Sequence, residues 1–130
     1  MHKKRFILII IIAIIFLISS TLSYNTTYHL NKNEVKAIEL WQGDLLIRIT
    51  DKSDIAKLID TLNNQIFITT IFPRQEKQGL LGLKFLNAEG QQIKWLTYDG
   101  DERRLYPLGG KISEKSKGVI DSILNKYNIP

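Results

Sequence analysis

The two histidines of this 130-residue chain stand at positions 2 and 29, outside the stretch that is patterned like a folded body. A histidine general base or metal ligand inside the domain is thereby excluded, which leaves carboxylates as the groups able to move protons. The serines have no activating neighbour: there is no Gly-x-Ser-x-Gly elbow and no Ser-x-x-Lys pair. The glycines are scattered as turn residues rather than gathered in a phosphate-cradling run, and no cysteine exists to hold a metal or close a disulfide. No cofactor is implied.

The densest acidic cluster is Asp99-Gly100-Asp101-Glu102. A calcium loop needs twelve residues with a distant Glu, whereas here Arg103 and Arg104 follow at once. Asp-Gly is instead a strong hairpin-turn signal. Glu39 and this loop are the loose candidates for a carboxylate pair, the minimum for a glycan hydrolase. Aromatic residues offer different chemistry. Trp41, Trp95, Tyr98 and Tyr106 are of the kind that anchors interfaces. Both tryptophans are expected to pack beneath helices, the alternative being exposure of Trp95 or Tyr98 on an uncovered sheet face. Trp95, Tyr98, Arg103 and Arg104 are the candidate partner-binding residues. The remaining loop cations, Arg74, Lys77, Lys111, Lys115 and Lys117, read as dispersed solvated charge unless they converge on an anionic surface.

These residues need elements to position them. Lys3, Lys4 and Arg5 precede residues 6–18, a run with no polar side chain, followed by Ser19, Ser20, Thr21, Leu22 and Ser23. Basic residues flanking an apolar helix stay cytoplasmic, so the rest of the chain is expected outside. Residues 1–23 fit two descriptions: an uncleaved anchor, which reaches about 17 residues only by counting hydroxyl residues, or a signal peptide cut after Ser20 or Ser23. A buried core helix is disfavoured because the run has no polar face. Residues 24–33 read as a polar tether, and Asn25-Thr26-Thr27 as a glycosylation sequon by chance.

Residues 34–130 are the size of one domain. The chain's charge of +5 includes the three basic residues at its start, so fifteen basic residues remain against thirteen acidic ones. Nucleic acid is set aside as a partner. Alternation gives a hairpin over 35–41 and 45–50, with Leu45, Ile47 and Ile49 on one side. Ile55, Leu58, Ile59 and Leu62 follow at helical spacing behind the capping oxygens of residues 51–54. Strands are expected at 65–72, 80–86, 91–98 and 103–108, with Gly109-Gly110 breaking the last. Ser113 opens a second amphipathic helix whose stripe is Val119, Ile120, Ile123, Leu124 and Tyr127.

The result is an α+β fold in which an N-terminal signal-anchor helix precedes a small antiparallel-sheet domain, two amphipathic helices covering one face. Both halves run meander-then-helix, and Leu58-Ile59-Asp60-Thr61 echoes Val119-Ile120-Asp121-Ser122, a match that four amphipathic residues reach easily by chance. The layout is similar in a general way to small extracytoplasmic domains of bacteria that pair an anchor with a hundred-residue body, though no motif names a family. Elimination favours a non-enzymatic, membrane-tethered binding module that contacts an envelope protein or the membrane surface. A secreted or tethered carboxylate hydrolase of the cell wall is the rival.

Overall fold

A computed structural model describes the backbone of residues 2–64, 77–107 and 109–130. The first helix, α1 (His2–Tyr28), contains the apolar run. Its twelve large apolar side chains from Phe6 to Ile18 are 43% to 66% exposed on all sides. Among the described residues no helix is long and apolar enough to cross a membrane. The α1 side chains that are described are those of residues 3–19.

The segment expected as a tether is not free at its domain end. Leu30 is 2% exposed and belongs to the core. Its N–H donates to Asn63 Oδ1 at 2.8 Å, and Asn63 Nδ2 donates back to its carbonyl at 2.7 Å. Lys94 Nζ adds a bond to the His29 carbonyl, and Lys32 pairs with Asp60.

Strands β1 (Ala37–Gln42) and β2 (Leu45–Ile49) form the expected hairpin. Gly43 sits at the first central position of its two-residue turn with φ +58°, a value that favours glycine. Helix α2 (Lys52–Asn63) follows, with Asp51 Oδ1 capping the Asp54 N–H at 3.0 Å. Ile55, Leu58, Ile59 and Leu62 are all buried, as their spacing requires. The strand expected over 65–72 lies outside the described residues.

Strands β3 (Leu81–Leu86), β4 (Gln92–Asp99), β5 (Arg104–Tyr106) and β6 (Gly110–Lys111) complete a six-stranded antiparallel sheet of order β2-β1-β3-β4-β5-β6. Gly109-Gly110 does not end the sheet. Gly109, at φ +74°, turns the corner, and Gly110 pairs with Leu105. Helix α3 (Glu114–Lys126) is capped by Ser113, whose Oγ accepts from the Ser116 N–H.

Register assigns the two faces. Ile38, Leu40, Ile49, Leu83, Phe85, Leu96, Tyr98 and Leu105 share the inner face, packed in one core with Ile55, Leu58, Ile59 and Leu62 of α2 and Ile120, Ile123 and Leu124 of α3. The outer face carries Arg48, Glu39, Lys84 and Trp95 among others. One row on it runs Leu46, Trp41, Gly82, Thr97, Tyr106 across five strands.

Candidate functional site

The outer row is exposed at one end and closed at the other. Thr97 and Tyr106 are buried, whereas Leu46 is 49%, Trp41 37% and Trp95 43% exposed. Apart from α1, the exposed large apolar side chains among the described residues are these three and Leu45. Leu45 points to the opposite face, but the other three are neighbours. Leu46 stands opposite Trp41, Trp41 opposite Gly82, and the Trp95 ring lies over Gly82. A Cβ placed on Gly82 would meet Trp95 Cζ2 at 2.8 Å and Trp41 Cβ at 3.5 Å. The missing side chain is therefore what lets an indole settle on the sheet between strands.

A groove of about 600 Å³ opens there, lined by Trp41, Gly82, Trp95 and Thr97 and by Lys77, Gln78 and their glycine neighbours. Its cations are engaged within the domain. Lys77 Nζ bonds Glu102 Oε1 at 2.5 Å and lies 3.6 Å from Asp99 Oδ2; the Glu102 bond is the main reason its ammonium is held above the ordinary lysine range. Lys84 Nζ lies 3.6 Å from Glu39 and 6.0 Å from the Trp41 ring centroid. This geometry makes the groove an apolar and aromatic surface with a polar rim, rather than a charged trap.

The four sequence candidates are not brought together. Trp95 is on the outer face. Tyr98, three positions on, faces inward, is 4% exposed and donates its hydroxyl to Asp121 Oδ1 at 3.1 Å. Burial, with the Asp121 charge added, pushes its phenol well above the usual range. Arg103 sits in the β4–β5 turn at φ +55°, 3.5 Å from the exposed Glu114. Arg104 is spent on the Gly109 carbonyl, and its Nε lies 3.6 Å from Glu102. Trp41, not among the four, is the residue that shares the groove with Trp95; the signal for it was the period-two alternation that sets Glu39 and Trp41 on one side of β1.

The carboxylates gather elsewhere. A cleft of about 470 Å³ on the helix-covered side of the sheet, sharing Gly79 and Leu80 with the groove, is lined by Asp99, Asp101 and Asp121 together with Tyr98, Lys117 and Asn125. Asp121 holds Lys117 as well as the Tyr98 hydroxyl. Asp99 Oδ1 accepts the N–H groups of Asp101 and Glu102, fixing the turn, while its buried Oδ2 has no hydrogen-bond partner among the described residues and only Lys77 Nζ at 3.6 Å as an ion pair. Glu39 is not in this cleft. Among the described residues no group of three His, Cys, Asp or Glu side chains is arranged to hold a metal ion.

The chain matches no known family, no curated protein and no solved structure.

Proposed function

We propose that this protein is a membrane-tethered docking module, held at the envelope by α1 and receiving another envelope protein on the Leu46–Trp41–Trp95 window of its sheet. The observation that carries the reading is the placement of both tryptophans of the chain on one partly open face, flanking the bare backbone of Gly82. The exposed area of the three side chains is about 300 Å², an ordinary size for the largest patch on a monomer. Size therefore does not single it out. Composition does, because tryptophan is among the residues most enriched where interface energy concentrates, and truncating such an anchor costs about 2 kcal/mol or more.

The tether rests on α1. The strictly apolar run of α1, residues 6–18, makes only about 20 Å of helix, so the hydroxyl residues after it must complete any crossing. Its exposed girdle nevertheless has no polar face to present to water. Lys3, Lys4 and Arg5 favour a cytoplasmic N-terminus, with the domain outside.

The wall-glycan hydrolase remains a second reading, because Asp99, Asp101 and Asp121 line one cleft. Against it, Asp121 is paired with Lys117 and Asp99 is tied into its own turn, so both carboxylates are engaged in structural contacts. One comparison separates the two. Crosslinking in intact cells, followed by fractionation and mass spectrometry, should recover a membrane-bound, full-length species with a defined partner, lost in Trp41→Ala/Trp95→Ala. Glycan hydrolysis abolished by Asp101→Asn, or a soluble truncated species with no partner, would overturn the docking reading.

A further inference from the structure

The sheet ends on two different edges. Strand β6 is two residues long and includes Lys111, the usual way an edge is blunted. Strand β2 has five residues and pairs on one side only among the described residues. It carries no proline, no lysine and no register shift against β1, and exposes Leu45 and Leu46. Such an edge is a template for another strand.

Its hydrogen-bonding direction follows from the turn. In a two-residue hairpin the residues flanking the turn, here Gln42 and Leu45, bond each other across the strands. Alternation then points the main-chain N–H and C=O of Leu46 and Arg48 outward, away from β1. The sequence over these positions, Leu-Leu-Ile-Arg-Ile, sets apolar against apolar at three of its five positions when an antiparallel copy is centred on Ile47. An antiparallel copy centred there sets Leu45 against Ile49 and Leu46 against Arg48 of the second copy, with four main-chain hydrogen bonds. Arg48 is the one charge on the strand, and this dyad places it against a leucine. A dyad centred on residue 48 would set arginine against arginine, which is destabilising.

The geometry points to a two-fold dimer in which β2 bonds β2 of a second copy, joining two six-stranded sheets into one. The contact is isologous and closes on itself, so it stops at two copies. Leu46 and Trp41 of both copies then lie on one continuous outer face, on either side of the dyad. Each Arg48 stem lies across the second copy's Leu46, toward its Trp41 ring, where a guanidinium is attracted to the aromatic face. The strand contact alone is small, and confinement of both copies to one membrane through α1 raises their effective concentration. In that respect the dimer rests on the tether reading, but not on the docking of another protein at the tryptophans.

The chain lacks cysteine, so engineered thiols report without background. Full-length Leu46→Cys and Arg48→Cys chains, differently tagged, are expressed together in membranes and oxidised. In the dyad a 46–48 pair sits at about 5.5 Å between Cα atoms, inside the disulfide range, whereas 46–46 and 48–48 pairs lie beyond about 7 Å. Mixed-tag disulfides about tenfold above those from either variant alone are expected. Equal crosslinking in every combination, matching a Lys115→Cys control on α3, or none at all, would overturn the dimer. Loss of this register with retained partner capture at Trp95 would remove the dimer and leave the docking module standing.

Discussion

Replacing Asp54 with alanine probes a pair of long-range polar contacts between the two domain helices. Asp54 is 4% exposed, and its Oδ2 accepts from Lys126 Nζ and from the Tyr127 hydroxyl, each at 2.7 Å. A hydrogen bond to a charged group contributes about 1.5–3 kcal/mol. The Tyr127 bond belongs in that range, while the Lys126 bond, from a side chain that is 57% exposed, is screened by solvent and adds little. The carboxylate also lies in the first turn of α2, where a negative charge is favourable by about 0.3–1 kcal/mol. The expected loss is about 3 kcal/mol, or roughly 15 °C in Tm for a domain of this size.

The pH dependence gives a sharper test. The Lys126 and Tyr127 hydrogen bonds hold the Asp54 carboxyl below its ordinary value of 3.8. A depressed carboxyl pKa stabilises the fold above the unfolded value, and that stabilisation disappears as pH falls through the folded one. Lys126 and Tyr127 are both raised, chiefly by their bonds to Asp54, so their share persists to the alkaline side of neutrality. Urea unfolding of the purified chain, followed by tryptophan emission, should show a constant gap between native and variant from about pH 5 to 9 that closes below the ordinary carboxylate range. A gap under about 1 kcal/mol, or one unchanged at pH 2, would refute the reasoning.

Other substitutions follow from single contacts. Asn63→Ala removes both bonds to the Leu30 main chain, and should cost about 1–2 kcal/mol and speed hydrogen exchange at the Leu30 amide. Gly118 lies inside α3 with nothing within 4 Å of a built Cβ, so Gly118→Ala should stabilise by about 1 kcal/mol in the same urea titration. Gly82→Ala displaces the far edge of the exposed Trp95 ring rather than any backbone; stability should change by less than about 1.5 kcal/mol, with a clear shift in indole emission. Spectrophotometric titration should find that the tyrosine lost in Tyr98→Phe is one that ionises above the usual tyrosine range.

Local periodicity made much of the fold readable. The α2 stripe at 55, 58, 59 and 62 and the alternation along β2 to β4 each follow from a side-chain period, and each is observed. What escaped depends on partners distant in the chain. Asp54 lies off the apolar stripe, yet is buried because Lys126 and Tyr127 arrive more than seventy positions later. Leu30 sits in a polar stretch and is drawn into the core by Asn63. For the candidate site, alternation already opposed Trp95 to Tyr98, so the two could not share a face. Which face stayed open was not readable from β4, because large apolar residues stand on both its sides, Ile93 and Trp95 on one, Leu96 and Tyr98 on the other. Trp95 is held outside by Gly82, a residue that reads as a mere gap in a strand pattern until its neighbours are in place.

The docking surface is tested most directly by placing a photo-crosslinking amino acid at position 95 in one chain and position 115, on α3, in another, and irradiating intact cells. The account predicts one adduct of defined mass from position 95, lost on Trp41→Ala, and none from position 115. Equal adducts from both positions, or none from position 95, would contradict it.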